Sequence, residues 1–201
     1  METQKTTTTR KIYCAYDDEG VFVYQAFSSK IVEFAVANGT FGKGFGLDRT
    51  SWIKPSFAWT LHRSAYATKH RMEAIARIKL HHWAWLEILE NSVQSHMDTS
   101  FYESEGQWQS QLKKALVVCQ WDPERGLDGK PLQRQAIQLG LRSLILPDYV
   151  ERYILRVEDV TALARAIAPI ARAKRSDFPT VPWERDYPIA ESLAARLGCR
   201  D

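Results

Sequence analysis

Hydrophobic and polar positions alternate along much of the chain, and this pattern predicts β-strands interrupted by short helices. Residues 11–16 and 21–26 are β-branched and aromatic runs separated by Asp17-Asp18-Glu19-Gly20, a composition typical of a hairpin turn. Apolar runs or alternation predict further strands at residues 50–54, 73–80, 115–120, 135–141 and 154–157. The strand at 115–120 is expected to stop at Trp121, where polar residues and a proline begin.

Apolar residues recur at helical spacing in the segments between these strands. Ser28 or Ser29 is expected to begin a helix that Gly39 ends, and Pro55 suits the first turn of a helix that reaches Ser64. The other predicted helices cover residues 82–92, 105–113, 147–153 and 160–173. Residues 41–49 contain three glycines but no following Gly-Lys-Ser/Thr, so a mobile loop is favoured over a phosphate-binding P-loop.

The order of these elements predicts the fold class and the domain organisation. Strands and helices mix without strict alternation, which favours an α+β fold with a mixed, mostly antiparallel sheet and packed helices. Residues 11–175 contain no linker-like stretch and are predicted to form a single α+β domain. Residues 1–10 are polar and threonine-rich and predict a disordered tail. Residues 176–201 are predicted to be an extension packed on the domain.

Composition narrows the class of protein. Hydrophobic residues make up 45% and charged residues 25%, a globular balance. The net charge of +3 is too close to neutrality to indicate a nucleic-acid partner by itself. No apolar run suits a signal peptide or a membrane span, so no membrane partner is expected. Cys14, Cys119 and Cys199 are far apart and lack CxxC spacing, which favours a reducing cytoplasm.

Motifs for metal or nucleophile catalysis are missing from the sequence. The five histidines are His62, His70, His81, His82 and His96. None of them has HExxH or another ligand spacing, so no metal site is predicted. There is no GxSxG motif, and no cysteine lies in an activating context, which disfavours a hydrolase with a serine or cysteine nucleophile.

Candidate ligand-binding residues lie where a predicted strand meets a helix. After Trp52, Lys54 can present a cation to an anion, and Ser56 can add a hydroxyl beside the unpaired N–H groups of the helix. The alternative is that Ser56 only caps its helix and Lys54 only reaches solvent. Arg63 and Ser64 add a second polar patch two turns along the same helix.

A second candidate cluster follows the apolar strand at 115–120. Its members are Gln120, Trp121, Asp122, Glu124 and Arg125. The carboxylates of Asp122 and Glu124 could serve in general acid–base catalysis or bind ribose hydroxyls. A turn closed by Asp122, with Glu124 and Arg125 paired on the surface, is the alternative.

Polar side chains also interrupt two otherwise apolar strands. Tyr24 and Gln25 lie in the first of these strands, and Gln138 lies in a later one. A buried amide without a partner is costly, so these side chains are expected to face a partner or a pocket. Seven Trp, eight Tyr and eight Phe, several of them beside polar or cationic residues, also suggest a ligand surface.

Five motifs together resemble the domain-of-unknown-function 4291 family. In chain order they are VYQAF at 23–27, RTSWIKPSF at 49–57, HRSAYA at 62–67, QWDPER at 120–125 and AIQLGL at 136–141. On these motifs the chain is identified as a member of that family over roughly residues 10–190. The family resemblance implies relatives rather than an activity.

The order of elements also resembles the ADP-ribosyltransferase layout. In that layout NAD is held by an Arg or His on the first strand, by a Ser, Thr or Tyr near the second, and by a Glu or Gln on a later strand. The resemblance implies Gln25 at the first position, Ser56 near the second and Gln138 at the third, as a candidate catalytic residue. Gln25 and Gln138 replace the usual basic residue and the usual catalytic Glu; RNA 2′-phosphotransferase relatives also lack that Glu.

Two functions follow as alternatives from these observations. The resemblance implies an enzyme that uses NAD and cleaves its nicotinamide glycosidic bond, with Gln138 bonding the ribose and Arg63 or Lys54 holding the pyrophosphate. The other is a non-catalytic nucleotide-binding or nucleic-acid-binding module that could bind RNA. In it Trp52, Trp59 and Trp121 stack on bases, and Lys54, Arg63 and Arg125 contact phosphates. A purely structural protein would show neither behaviour, and the oligomeric state stays open.

Overall fold

Two β-sheets meet edge to edge in the computed structural model, which describes residues 8–201. The strands in this part of the chain are β1 Thr9–Arg10, β2 Tyr13–Cys14, β3 Gly20–Phe27, β4 Ser51–Ile53, β5 Ala74–His81, β6 Ser92–Gln94, β7 Val117–Arg125, β8 Pro131–Leu141, β9 Ile154–Asp159 and β10 Arg185–Asp186. The α-helices are α1 Ser29–Asn38, α2 Phe57–Arg63, α3 His82–Glu90, α4 Glu105–Lys114, α5 Leu146–Asp148, α6 Thr161–Arg172 and α7 Glu191–Leu197. A π-helical turn, Tyr149–Tyr153, follows α5.

Antiparallel pairing dominates both sheets. In the larger sheet β7 pairs with β8 antiparallel, while β4 (antiparallel) and β1 (parallel) share the other side of β8. Strand β6 adds to β7 in parallel. The smaller sheet has the order β3-β5-β9 and is antiparallel throughout, and β2 forms a separate antiparallel ribbon with β10. The predicted α+β fold with a mixed, mostly antiparallel sheet is therefore confirmed.

The two sheets are joined through Tyr24 and Lys54. The backbone N–H of Tyr24 donates to the carbonyl oxygen of Lys54 at 2.6 Å, and the N–H of Lys54 donates back to the carbonyl of Tyr24 at 3.2 Å. Because Lys54 comes directly after β4, this pair links the edge of the smaller sheet to the larger one. The strands diverge beyond the joint, and α2 begins three residues after Lys54.

Apolar side chains on one face of each strand build the main core. Its buried members include Val21, Val23, Ile78, Leu80, Trp85 and Leu139. A second cluster fixes α2 and α6 against the smaller sheet, with Tyr24, Phe57, Leu61, Ile75 and Ile167. Burying a large apolar side chain contributes roughly 1.5–3 kcal/mol, so this second cluster holds α2 firmly beside the joint.

Several predicted elements are confirmed, and the reasons are local. Helix α1 follows Ser28 and ends at Gly39, whose φ of 71° is a left-handed conformation that glycine adopts readily. Helix α2 is capped by the Ser56 hydroxyl, which accepts from the N–H of Trp59 at 3.1 Å. The turn predicted at residues 17–20 also forms, since the N–H of Asp17 donates to the carbonyl of Gly20 at 3.1 Å. The hairpin ladder predicted around it is wrong, because β2 pairs with β10 and β3 pairs with β5, which leaves only the bridge between Tyr16 and Val21.

The predicted end of a strand at Trp121 is wrong. Strand β7 continues to Arg125 because β8 pairs with it along this whole length, and a shift in register between Pro123 and Arg125 accommodates the proline. The polar residues after Gln120 therefore lie within a strand, and their side chains alternate between its two faces. This alternation decides which of them reach the cavity described below.

The two ends of the described chain contain regular structure that the pattern missed. Thr9–Arg10 pairs with β8 as strand β1, whereas residues 1–7 of the predicted tail lie outside the described residues. The segment after residue 174 contributes β10 and α7, and the pattern predicted neither of them. None of the helices within residues 8–201 has the length and apolar character needed to cross a membrane.

Candidate functional site

A cavity of about 600 Å³ opens where the two sheets diverge from their joint. Strands β3, β4, β7 and β8, helix α2 and the loops around them supply its walls. The lining residues are Tyr24, Gln25, Ala26, Phe27, Arg49, Thr50, Ser51, Trp52, Lys54, Trp59, Thr60, Arg63, His70, Arg71, Met72, Gln120, Asp122 and Gln138. The volume lies within the usual range of small-molecule sites, about 300–1,000 Å³.

The floor of the cavity is one polar face of the larger sheet. Gln120 lies directly opposite Gln138 in the β7–β8 ladder, and Asp122 follows two residues later on the same face. Lys54 joins them from the end of β4, whose last residue, Ile53, pairs with Leu139. Trp121 points to the other face and donates its indole N–H to the carbonyl of Leu197 at 2.7 Å.

Lys54 is the most enclosed charged group on this floor. Its ammonium group donates to the side-chain oxygen of Gln138 and lies 3.2 Å from the centroid of the Trp59 ring. Burial lowers the pKa of Lys54 well below its usual value, and the nearby charge of Arg63 lowers it further, while Asp122 acts in the opposite direction. Lys54 therefore lies on the cavity wall and loses its proton more readily than an exposed lysine does.

Asp122 supplies the one carboxylate among the lining residues. Its Oδ1 accepts from the side-chain N–H of Gln120 at 3.1 Å. Its Oδ2 is buried, has no hydrogen-bond partner within residues 8–201, and lies 3.9 Å from Nζ of Lys54. A carboxylate with one unused oxygen beside an amine can accept or return a proton during a reaction.

The rim of the cavity is basic and aromatic. The exposed side chains of Arg49, Arg63 and Arg71 line it, and none of these arginines forms a salt bridge within the described part of the chain. The Trp52 indole is 38% exposed and lies against Gly140, where an added Cβ would come within 3.0 Å of the ring. The rim therefore offers guanidinium groups for an anion and an indole for stacking.

A left-handed turn carries the chain from α2 to the loop that holds His70, Arg71 and Met72. Ala65, Tyr66 and Ala67 have φ values of 50°, 56° and 60°, a conformation that costs roughly 1–2 kcal/mol per non-glycine residue. The turn is held because the Ser64 hydroxyl accepts from the N–H of Ala67 at 3.1 Å. The Tyr66 hydroxyl also donates to the carbonyl of Leu127 at 3.0 Å. Such strain is characteristic of functional loops.

Replacing Ala65 with glycine is expected to raise the free energy of unfolding by about 0.5–1 kcal/mol. Glycine adopts a left-handed φ without strain, and this gain exceeds the added entropy of its unfolded state. The matched control is Ala166→Gly at an exposed position of α6, where the same change should destabilise by about 1 kcal/mol. Urea unfolding gives the change in the free energy of unfolding for both variants. A lower free energy of unfolding for Ala65→Gly would show that the left-handed turn is not strained at this residue.

Several predicted residues form a buried network behind the cavity wall. The Ser56 hydroxyl donates to Oε1 of Glu124 at 2.8 Å, and the backbone N–H of Arg125 donates to the same oxygen at 2.8 Å. Oε1 of Glu184 accepts the N–H of Phe57 at 2.7 Å. Burial raises the pKa of Glu184 to about 8, with a further rise caused by the charge of Glu124.

Glu184 should make the protein less stable as pH increases. The native state keeps a proton that the unfolded chain releases above its ordinary pKa of 4.5, so stability is fully present below 4.5 and is lost up to about pH 8. Glu184→Gln keeps an acceptor for the Phe57 N–H and should flatten this decline. Melting temperatures across that pH range measure the effect, with the exposed Glu191→Gln as control. Parallel declines in wild type and Glu184→Gln would contradict this role.

The structure brings eight of the predicted site residues to the cavity. They are Tyr24, Gln25, Trp52, Lys54, Arg63, Gln120, Asp122 and Gln138. Five others lie outside it, namely Ser56, Ser64, Trp121, Glu124 and Arg125. Ser56 and Ser64 lie at the two ends of α2, Glu124 and Arg125 take part in the buried network, and Trp121 lies on the opposite face of β7. Gln25 lies on the cavity wall, but its side-chain amide already forms hydrogen bonds with Ser51, Trp52 and Tyr149.

Sequence reasoning missed part of the lining. Trp59 is already a base-stacking candidate from the sequence, whereas the missed polar residues are Arg49, Thr50, Ser51, Thr60, His70 and Arg71. Thr60 could have been found, because it lies four residues after Ser56 and three before Arg63 on one face of α2. His70 and Arg71 reach the cavity only through the left-handed turn, which has no glycine to mark it.

Fold and cavity together define an α+β protein with a basic, aromatic cleft at the joint of two sheets. Residues 11–187 match the family described as Domain of unknown function (DUF4291), and the chain belongs to this family. The membership predicted from the five motifs is thus confirmed, and all five lie inside the matched range. Among curated proteins, none matches the chain.

Proposed function

We propose that the cleft binds a nucleotide-like anion of the NAD or ADP type. The observation that carries the proposal is the charge of the lining: Arg49, Arg63 and Arg71 at the rim stand against a single carboxylate, Asp122. Guanidinium groups form paired, charge-assisted hydrogen bonds with phosphate oxygens. The exposed Trp52 indole can stack on a base, and the volume is sufficient for a nucleotide.

The reaction we assign to this cleft is ADP-ribosyl transfer from NAD. The bond between the ribose C1 and nicotinamide breaks, nicotinamide leaves with the electron pair, and an acceptor oxygen forms the new bond. Asp122 is the group suited to stabilise the positive charge at C1 and to take the acceptor proton, because Gln138 cannot carry a charge and is bonded to Lys54. The resemblance to the ADP-ribosyltransferase layout gives Gln138 only a hydrogen bond to the ribose, so the acid–base role belongs to Asp122, which was also a catalytic candidate from the sequence.

A thermal-shift screen followed by a product assay tests the proposal. A ligand that binds the native state raises the melting temperature, so NAD and ADP should raise it and adenosine should do so less. Wild type should then release nicotinamide from NAD, and Asp122→Asn should lose that release. Asp18→Asn, an exposed site outside the cleft, is the matched control. Flat melting curves for NAD, NADP, ADP and short RNA would contradict the proposal.

Single-stranded RNA binding without turnover is the second candidate. The exposed indole of Trp52 next to the arginine rim supports it, because base stacking combined with phosphate contacts is how many single-stranded sites work. Such a module should bind short RNA with a steep salt dependence and release no nicotinamide. Nicotinamide release that depends on Asp122 separates the enzyme from this alternative.

A further inference from the structure

We propose that Lys54 is a nucleophilic amine that forms an imine with the aldehyde carbon of a phosphate-bearing ligand in the cleft. The inference rests on the proposed function for the phosphate, which the rim arginines would hold. It adds a covalent site on the floor and a chemical class of ligand: a phosphorylated aldehyde, such as the open-chain sugar end of ADP-ribose.

The surroundings of the Lys54 amine suit a nucleophile. The side chain is 9% exposed, and Lys54 lines the cavity. Gln138 accepts one hydrogen bond from Nζ, and the Trp59 ring covers it at 3.2 Å. The nearest carboxylate oxygen, on Asp122, lies 3.9 Å away, beyond hydrogen-bonding distance. The amine is therefore held in place at the cavity wall without a close ion pair that would fix its proton.

Lys79 shows what a structural lysine looks like in the same fold. Its side chain is 2% exposed, yet Nζ contacts two carboxylates, those of Asp17 at 2.8 Å and of Glu19. Burial acts against its charge, but the bonds to both carboxylates outweigh burial and raise the pKa of Lys79. Burial acts in the same direction on Lys54, where the charge of Asp122 at 3.9 Å opposes it without a hydrogen bond, and the pKa falls. Lys79 is therefore held as an ammonium ion, whereas Lys54 is the candidate for a reactive neutral amine.

The proposed step balances without any additional reagent. The lone pair on Nζ attacks the aldehyde carbon, and the carbonyl π electrons move to oxygen, which leaves a positive nitrogen and a negative oxygen. Oδ2 of Asp122, which has no hydrogen-bond partner in residues 8–201, carries one proton from nitrogen to that oxygen to give the carbinolamine. A second proton passes from nitrogen to the hydroxyl by the same route, the C–O bond breaks to release water, and nitrogen and carbon form the imine double bond. The products are one imine and one water.

Reductive labelling tests this assignment with pyridoxal 5′-phosphate as the probe. Wild-type protein is incubated with the probe at neutral pH, reduced with borohydride and mapped by peptide mass spectrometry. Lys54 should be labelled roughly tenfold or more faster than the exposed Lys69, because each unit by which a pKa falls increases the neutral amine about tenfold. Lys79 should stay unlabelled. Labelling of Lys69 but not of Lys54 would overturn the proposal.

Two variants sharpen the test. Lys54→Arg keeps the charge but cannot form an imine, so labelling at this position should vanish; if the variant does not fold, the mapping of wild type still decides. Asp122→Asn should slow labelling at Lys54 severalfold and leave labelling at Lys69 unchanged, because the variant lacks the carboxylate that carries protons from nitrogen to oxygen. An amine with only a structural role would label at the same slow rate in both proteins, which would also overturn the proposal.

Pyridoxal without phosphate separates this inference from the proposed function. If both proposals hold, the phosphate-bearing probe labels Lys54 faster than pyridoxal, and ADP slows the labelling. If pyridoxal labels Lys54 equally fast and ADP has no effect, the nucleophile stands and the anion-binding proposal fails. If ADP raises the melting temperature while neither probe labels Lys54, the anion site stands and the nucleophile fails.

Discussion

Replacing Arg63 with alanine should weaken ADP binding by roughly 10- to 100-fold without unfolding the protein. A hydrogen bond to a charged group contributes about 1.5–3 kcal/mol, and each 1.4 kcal/mol changes affinity about tenfold. Arg63 is exposed, lines the cleft and forms no salt bridge within residues 8–201, so its loss leaves no buried group unpaired. Quenching of tryptophan fluorescence by ADP measures the change, because Trp52 and Trp59 line the same cavity.

The matched control is Arg172→Ala at the exposed end of α6, outside the cleft. It removes the same charge from the molecule and should leave the dissociation constant within about twofold, because Arg172 does not line the cleft and salt screens exposed charges. Equal losses of affinity in both variants would mean that net charge, rather than this cleft, attracts the nucleotide.

Replacing Gln25 with leucine should destabilise the fold by about 2–5 kcal/mol, or lower the melting temperature by roughly 5–15 °C. The side-chain N–H groups of Gln25 donate to the Ser51 hydroxyl at 2.9 Å and to the Trp52 carbonyl at 3.0 Å. Its oxygen accepts from the Tyr149 hydroxyl at 2.9 Å. Leucine has a similar volume but leaves the buried Ser51 and Tyr149 hydroxyls without these bonds.

Gln133→Leu is the control for this change, since Gln133 is exposed in β8 and the substitution should alter stability by less than about 0.5 kcal/mol. Chemical denaturation of both variants gives the two free energies of unfolding. A Gln25→Leu protein that keeps its stability but loses ADP binding would give Gln25 a role in holding the ligand, as the ADP-ribosyltransferase layout implies.

Local sequence signals predicted most of the secondary structure, because residues close together in the chain determine where many helices and strands begin and end. Gly39 ends α1 through its own backbone freedom, and Ser56 caps α2 through its own hydroxyl. The predicted end of the strand after Gln120 was wrong because pairing with a distant strand, and not the local sequence, determines this segment. Its polar residues resemble a turn, yet they form a strand because β8 pairs with them, and that pairing joins residues far apart in the chain.

The cavity floor could be predicted in outline from single side chains that do not fit their surroundings. Lys54, Asp122 and Gln138 stood out as polar groups in or beside apolar strands, and register brings them to one face. The rim could not be predicted in the same way. Arg71 reaches the cavity through three non-glycine residues with positive φ, a conformation that sequence propensity disfavours.

We propose that the basic cleft beside Lys54 binds a nucleotide-like anion through its phosphates. Calorimetric titration of the wild-type protein with ADP and with adenosine, each at low and high salt, tests it most directly. We predict that ADP binds more tightly than adenosine and that added salt removes most of the difference. Equal affinities for ADP and adenosine at low salt, or no heat of binding from either at millimolar concentration, would contradict the claim.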